Sequence, residues 1–208
     1  MLKVLNHKSF DKHQLLIRAS ERRHAAWGKI VTYSRKVFVP LTNMCRDTCS
    51  YCTFVKHPNS KFAQILDPKS VMEIVRLGER NGCKEVLLSL GEKPELRYEK
   101  AREELKKLGF STMVGYLKFV CQMILRESTL LPHVNAGTLS EDEISSLKPV
   151  AASMGMMLES VSRRLTKRGM PHFACPDKVP VQRIRTMNKM DVLKVPFTTG
   201  VLIGIGER

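Results

Sequence analysis

Short apolar runs alternate along the chain with segments in which apolar residues recur every three or four positions, the pattern of strands interleaved with helices. Val37-Phe38-Val39-Pro40-Leu41 is rich in β-formers and reads as a buried strand feeding a loop. Asp67-Pro68-Lys69-Ser70 offers an N-terminal cap with an early proline, and Val71, Ile74, Val75 and Leu77 follow at helical spacing up to Gly82. Residues 84–90 predict a second buried strand, stopped by the turn-forming Gly91-Glu92-Lys93-Pro94. Helices are expected over 98–108 and 113–127, then a short strand and loop over 130–137. Ser140 and Glu143 have the spacing of a capping box, which starts a helix reaching Lys148. Residues 152–159 read as a further strand, 179–193 as a helix broken near its start by Pro180, and 198–205 as a last strand.

About five strands alternating with helices imply an α/β fold in which parallel strands are joined by right-handed crossovers. An open, partial (β/α) barrel with outer helices is the natural architecture. The candidate polar sites are residues 45–52, Gly91-Glu92, His133 and Asn135, Glu159 and Glu207, and they fall at or just after strand ends. In α/β barrels that carboxyl-end rim is where chemistry is built. Residues 1–30 read as a basic extension, with a helix expected from Gln14 to Trp27, and residues 31–208 as the core.

The net charge of +15 favours anionic partners in general without identifying one. Lys and Arg are scattered and aromatic residues sparse, so no nucleic-acid partner is expected. No apolar run approaches the roughly 18 to 20 residues that span a bilayer, and no secretory leader pattern opens the chain. No membrane partner is expected, and the expected location is the cytoplasm. Of the six cysteines, three fall within eight residues, which speaks for metal binding in a reducing compartment. Cys83, Cys121 and Cys175 stand apart and read as buried structural thiols.

The close trio is Cys45-Arg46-Asp47-Thr48-Cys49-Ser50-Tyr51-Cys52. Thiolate is the preferred ligand of iron-sulfur centres, and three cysteines for four irons leave one iron open to a small molecule. A structural zinc site would need a fourth Cys or His at short spacing; the nearest candidate is His57. A non-catalytic module using the same cysteines is the alternative from another functional class.

The Cys-x3-Cys-x2-Cys spacing with Tyr51 directly before the third cysteine resembles the hallmark of the radical-SAM superfamily. That resemblance implies a TIM-like barrel of radical-SAM type, with a [4Fe-4S] cluster on Cys45, Cys49 and Cys52 and S-adenosyl-L-methionine (SAM) chelating the fourth iron. Gly91-Glu92 is similar to the superfamily's motif for the SAM amino group, and a carboxylate beside a glycine suits an ammonium. Gly200, Leu202, Gly204 and Glu207 resemble its fifth-strand Gly-x-Ile-x-Gly-x-x-Glu motif, where glycines let a planar adenine approach the backbone. Tyr51 would help hold adenine, and Glu159 would bond a ribose hydroxyl or the substrate.

The likeness narrows further. Thr32-Tyr33-Ser34-Arg35, Val37 to Asn43, Cys52-Thr53-Phe54, Leu90 to Glu95, Leu130-Leu131-Pro132-His133, Ala152 to Ser160, Pro171-His172-Phe173 and Pro196 to Gly200 closely resemble the CofG half of FO synthase. This implies a carbon-nitrogen lyase that makes the deazaflavin FO, precursor of coenzyme F420. Its small-molecule substrate is a tyrosine-derived hydroxybenzyl group joined to a ribityl-aminouracil by a CofH-type partner, and an external donor supplies electrons. His133 and Asn135 are then the candidates for holding the substrate's polar groups or moving a proton. A CofH-like or menaquinone-pathway relative would share the cluster motif. Family members continue through a sixth strand and a covering carboxyl-terminal region, so the core is expected to be incomplete at that end.

Overall fold

The computed structural model describes residues 11–207, which form two compact units divided between Ser34 and Arg35. In the first, helix α1 (Lys12–Trp27) is capped by the Asp11 carboxylate on the His13 amide. The expected helix from Gln14 thus begins two residues earlier. Arg23 closes its far end, donating to the carbonyls of Gly28 and Ile30.

The second unit is built on a five-stranded, wholly parallel sheet whose spatial order follows the sequence: β1 (Lys36–Thr42), β2 (Glu85–Leu90), β3 (Leu131–Asn135), β4 (Ser153–Gly155) and β5 (Phe197–Thr198). Helices make the crossovers: α2 (Pro68–Arg80), α3 (Glu99–Lys107) with α4 (Met113–Glu127), α5 (Glu141–Leu147) and α6 (Pro180–Val192). With five parallel strands and outer helices, this is the partial barrel that the pattern implied. Caps set where the helices start: Asp67 accepts from the Ser70 amide, Thr112 from that of Gly115, and Ser140 and Glu143 form the reciprocal capping box.

Strand alternation divides the sheet into two faces. Val39, Leu41, Val86, Leu88, Val134 and Met154 point into one apolar core, where they meet Val71 and Val75 of α2, Leu117, Val120 and Ile124 of α4, Ile144 and Leu147 of α5 and Met190 of α6. The other residues of each strand face the concave side: register aligns Phe38 with Leu87 and His133, and Pro40 with Ser89 and Asn135. Phe38 and Leu131 are half exposed there.

Three expectations are corrected. The strand expected over 152–159 pairs regularly only at Ser153–Gly155. Beyond it the contact thins to Met156 N–H on Thr198 O at 3.1 Å, and backbone pairing resumes at Glu159, whose N–H donates to Gly200 O at 3.1 Å and whose carbonyl accepts from Leu202 N–H at 2.9 Å. The strand expected over 198–205 is reduced to Phe197–Thr198 and one bridge between Glu159 and Val201, after which Gly204 and Gly206 turn at φ of 90° and 100°. Pro180 does not break α6 but begins it, since a first-turn residue needs no N–H donor.

Candidate active site at the carboxyl end of the sheet

The cysteine loop leaves β1 and folds over the ends of β2 and β3. It encloses a cavity of about 210 Å³ lined by Cys45, Cys49, Cys52, Tyr51, Gly91, Glu92, Asn135 and Glu159 among the expected residues. Gly91 is what permits the fit: a Cβ there would lie 2.0 Å from the Met44 carbonyl oxygen and 2.8 Å from the Cys45 Cβ. The same contact lets the Glu92 amide donate to Cys45 Sγ at 3.1 Å. Burial pushes the Cys45 thiol up to about 12, although the amides of Glu92 and Asp47 oppose the shift. Cys49 is raised by its thiol contact with Cys175 and then by burial, while that contact lowers Cys175 to about 7.

The donor set fits an iron-sulfur cluster better than a single ion. Tetrahedral zinc, with Zn–S of about 2.3 Å, would hold its sulfurs roughly 3.8 Å apart. Among the described residues, the one trio of ligating side chains whose atoms all lie within 4.8 Å of one another is Asp47, Glu92 and Asp177, so the three cysteine sulfurs are spread wider than that. His57, the candidate fourth zinc ligand, is outside the cavity lining; its Nδ1 accepts the Asn59 amide and its ring packs against Tyr98.

The acidic trio is the part of the site that sequence reasoning missed beyond Glu92. Glu92, 7% exposed, accepts from Thr138 N–H at 2.6 Å and Thr138 Oγ1 at 2.7 Å, with Arg183 at 4.0 Å. Its carboxyl is pushed up to about 7 by burial and then by the Asp177 charge. Gly137 makes room, since a Cβ there would meet Glu92 Oε2 at 1.8 Å. Arg46 forks onto both oxygens of Asp177 and stays charged. Asp47, 2% exposed, accepts the Asp177 amide at 3.3 Å through Oδ1, but its buried Oδ2 has no partner. Burial and the Asp177 charge raise it to about 6. An unpaired buried carboxylate oxygen on the wall of a cavity suits a cationic ligand.

Other expected residues are placed as follows. Tyr51 donates to or accepts from His172 Nε2 at 2.9 Å, and its hydroxyl is raised by burial and by Glu159. Glu159 is paired with Lys178 at 2.7 Å. His133 lies two residues behind Asn135 on the same face of β3, outside the cavity lining, with Nδ1 2.7 Å from Ser153 Oγ. Gly200 is also outside the lining, held against Glu159 by the backbone. Gly204 and Glu207 form a turn of their own, the Glu207 carboxylate accepting from the amides of Gly204 and Ile205, and do not reach the cavity. Cys121 is a core thiol and Cys83 packs against the core, whereas Cys175 sits against the cysteine loop. Lys178 and Arg183 also line the cavity, with Arg183 donating to the Met157 carbonyl at 2.7 Å. No local motif marks them.

A parallel barrel fragment with a three-cysteine loop at its carboxyl rim is the architecture of one class of proteins, and the comparisons agree. The Radical SAM superfamily model matches residues 39–207, and the chain belongs to that superfamily. Among its relatives are FO synthase of Mycobacterium tuberculosis, 45% identical over 194 residues, and the 7,8-didemethyl-8-hydroxy-5-deazariboflavin synthase of Methanopyrus kandleri, 46% identical over 178 residues. The matches take in 90% and 86% of this chain but only 23% and 53% of those proteins, so the chain spans between a quarter and about half of their length. In fold it is similar to the FeFe-hydrogenase maturase HydG of Carboxydothermus hydrogenoformans, with TM-score 0.69 and 20% identity, covering 96% of this chain and 43% of that one. It is also similar to methylornithine synthase PylB, with TM-score 0.65 and 17% identity, covering 95% and 53%. Among the described residues no helix is long and apolar enough to cross a membrane.

Proposed function

We propose that the chain is the radical-SAM core of an FO synthase of the CofG type, a lyase that closes the deazaflavin ring of FO from a hydroxybenzyl/ribityl-aminouracil adduct with release of ammonia. The observation that carries this reading is the single cavity walled by Cys45, Cys49 and Cys52 on one side and by Gly91-Glu92 on the other, in a chain 45% identical to FO synthase.

Cys45, Cys49 and Cys52 are the residues to hold a [4Fe-4S] cluster. When bound there, that cluster would supply the one-electron reduction that cleaves SAM. Gly91 keeps the cysteine loop close to the end of β2, and the Glu92 amide screens the charge on the Cys45 sulfur. Asp47 Oδ2, which has no partner, and the Glu92 carboxyl offer acceptors to the ammonium group of SAM. Tyr51, hydrogen-bonded to His172, and the Gly200 segment, whose carbonyl accepts the Glu159 amide, are the residues proposed to flank adenine and ribose. Gly204 and Glu207 complete that side if their turn refolds onto the cofactor.

On the concave face, Asn135 at the rim suits the polar uracil or phenol. His133 below it is kept neutral by burial, which leaves its imidazole able to take a proton from the adduct during ring closure. A CofH-type subunit or domain would deliver the adduct, and an external donor would reduce the cluster.

Anaerobic reconstitution tests the reading. The parent chain should bind iron and sulfide and form 5′-deoxyadenosine from SAM when reduced, with Cys49→Ala abolishing both, and FO should appear when the adduct and the relatives' downstream region are supplied. One zinc per chain with no SAM cleavage would sink it.

A further inference from the structure

We infer that His172 is a positioning residue for the SAM site: from outside the cavity it holds the Tyr51 side chain in the cavity wall through a hydrogen bond to the tip of that ring. The inference rests on the SAM site proposed above and adds a residue outside the motifs that define it.

Tyr51 lines the cavity and His172 does not, so His172 acts on a bound ligand only through Tyr51. The link between them is direct. Tyr51 Oη and His172 Nε2 are 2.9 Å apart, and the two rings meet edge-on with centroids 5.6 Å apart and planes at 63°. One residue earlier on both segments, the Ser50 amide donates to Pro171 O at 3.1 Å. Residues 50 and 51 are therefore tied to residues 171 and 172 twice, once by backbone and once at the far end of the tyrosine side chain.

The two partners are held very differently. Tyr51 sits half-buried among turns and bends between β1 and α2, where no helix or sheet ladder fixes it. His172 is 3% exposed; its amide donates to Leu165 O at 2.9 Å and its carbonyl accepts the Cys175 amide at 3.2 Å. Leu165 is itself fully buried. The histidine is thus the fixed member of the pair and the tyrosine the one it restrains. A tyrosine ring turns about two side-chain torsions, and a bond at its tip selects one combination before any ligand arrives. A wall ordered in advance spares the ligand the cost of ordering it. The restraint is the same whichever ring nitrogen carries the proton, because Nε2 either accepts from the hydroxyl or donates to it.

The test measures SAM dissociation constants by equilibrium dialysis on the anaerobically reconstituted, unreduced chain, after iron and sulfide have been assayed. His172→Phe keeps a buried ring and loses Nε2, and Tyr51→Phe keeps the ring in the wall and loses its hydroxyl. Each should weaken SAM binding by about three- to tenfold, the worth of one hydrogen bond, with cluster content at the parent level. The double variant should bind no more weakly than either single one, since both remove the same link. His172→Gln puts a polar group near the place of Nε2 and should bind within about twofold of the parent. In the reduced protein, 5′-deoxyadenosine formation by His172→Phe should show a raised KM for SAM with kcat near the parent. A parent that takes up cluster but binds no SAM overturns the proposed function, and the role of His172 with it. A parent that binds SAM, beside a His172→Phe variant of parent affinity, overturns the role of His172 alone. Losses that multiply in the double variant, or a lowered kcat at unchanged KM, do the same. Should His172→Phe take up no cluster, Tyr51→Phe decides, and parent affinity in it overturns the role.

Discussion

Gly91 ties the sheet to the cysteine loop, and the space around it decides what a single methyl would do. A Cβ 2.0 Å from a backbone oxygen cannot be accommodated by a rotamer change, so the loop must move. Gly91→Ala should cost about 1 to 3 kcal/mol, read from urea unfolding, and should lower iron uptake on reconstitution; unchanged uptake would show that the close approach is not needed. His133 gives the fold a pH dependence. Burial first, and the Lys36 charge second, hold its pKa below the ordinary 6.5, with Glu85 opposing. The unfolded chain therefore binds the extra proton between that lowered value and 6.5, so the stabilisation is fully present above pH 6.5 and is lost as pH falls through the window. Urea midpoints at about pH 7.5 and about pH 5.5 should differ more for the parent than for His133→Asn, whose side chain does not titrate. An equal loss in both would count against His133 as the source. At this scale the cysteines, Gly91, Glu92 and Asn135 were legible because they end strands or form a dense motif. Asp177, Lys178 and Arg183 were not, because only the folded chain brings Asp177 to Arg46, 131 residues away.

Elements were legible where local chemistry decides them. Helix α4 has the expected bounds Met113–Glu127, and the Ser140/Glu143 box starts α5, since caps and 3.6-residue periodicity are written within one segment. Strand length depends instead on the neighbour: β4 and β5 pair over two positions, Met154 with Phe197 and Gly155 with Thr198, before the ladder lapses, to be met again only at the Glu159–Val201 bridge ahead of the glycine turns. Local apolar character over 152–159 and 198–205 carries no sign of that. Packing also overrides propensity within α2. An exposed helical Gly→Ala change gains about 0.8 to 1 kcal/mol, but a Cβ on Gly78 would lie 2.5 Å from Val37 Cβ on β1. Val37 is β-branched and has little freedom to move aside. Gly78→Ala should therefore lower the urea midpoint, by about 1 to 3 kcal/mol in stability, and a raised midpoint would mean that α2 slides on β1 at little cost.

For the molecule as a whole, the excess of 35 basic over 20 acidic residues does not extend to the cavity, whose walls set Asp47, Glu92 and Glu159 against Lys178 and Arg183. The cavity wall thus nearly balances its charges within a basic protein. The sheet that supports this pocket has two unlike edges. β1 is seven residues long, and all but one of its residues align with β2; β5 is two residues long and meets only β4. Backbone amides protected on both sides by strands and covered by the apolar core should open only with global unfolding, whereas a short edge strand opens locally. Hydrogen exchange should therefore be slowest at Val86, Leu88 and Val134 and much faster at Phe197 and Thr198. The curated relatives are about two to four times as long as the stretch they share with this chain. Extending this chain with the part of a relative that follows the matched stretch should slow exchange at Phe197 and Thr198 while leaving Val86 and Leu88 as they were. It should also reduce the exposure of Phe38 on the concave face, measured as protection from side-chain labelling. Exchange at β5 that is already as slow as at β3 in the 208-residue chain would show that its two-residue pairing holds a stable edge without added chain.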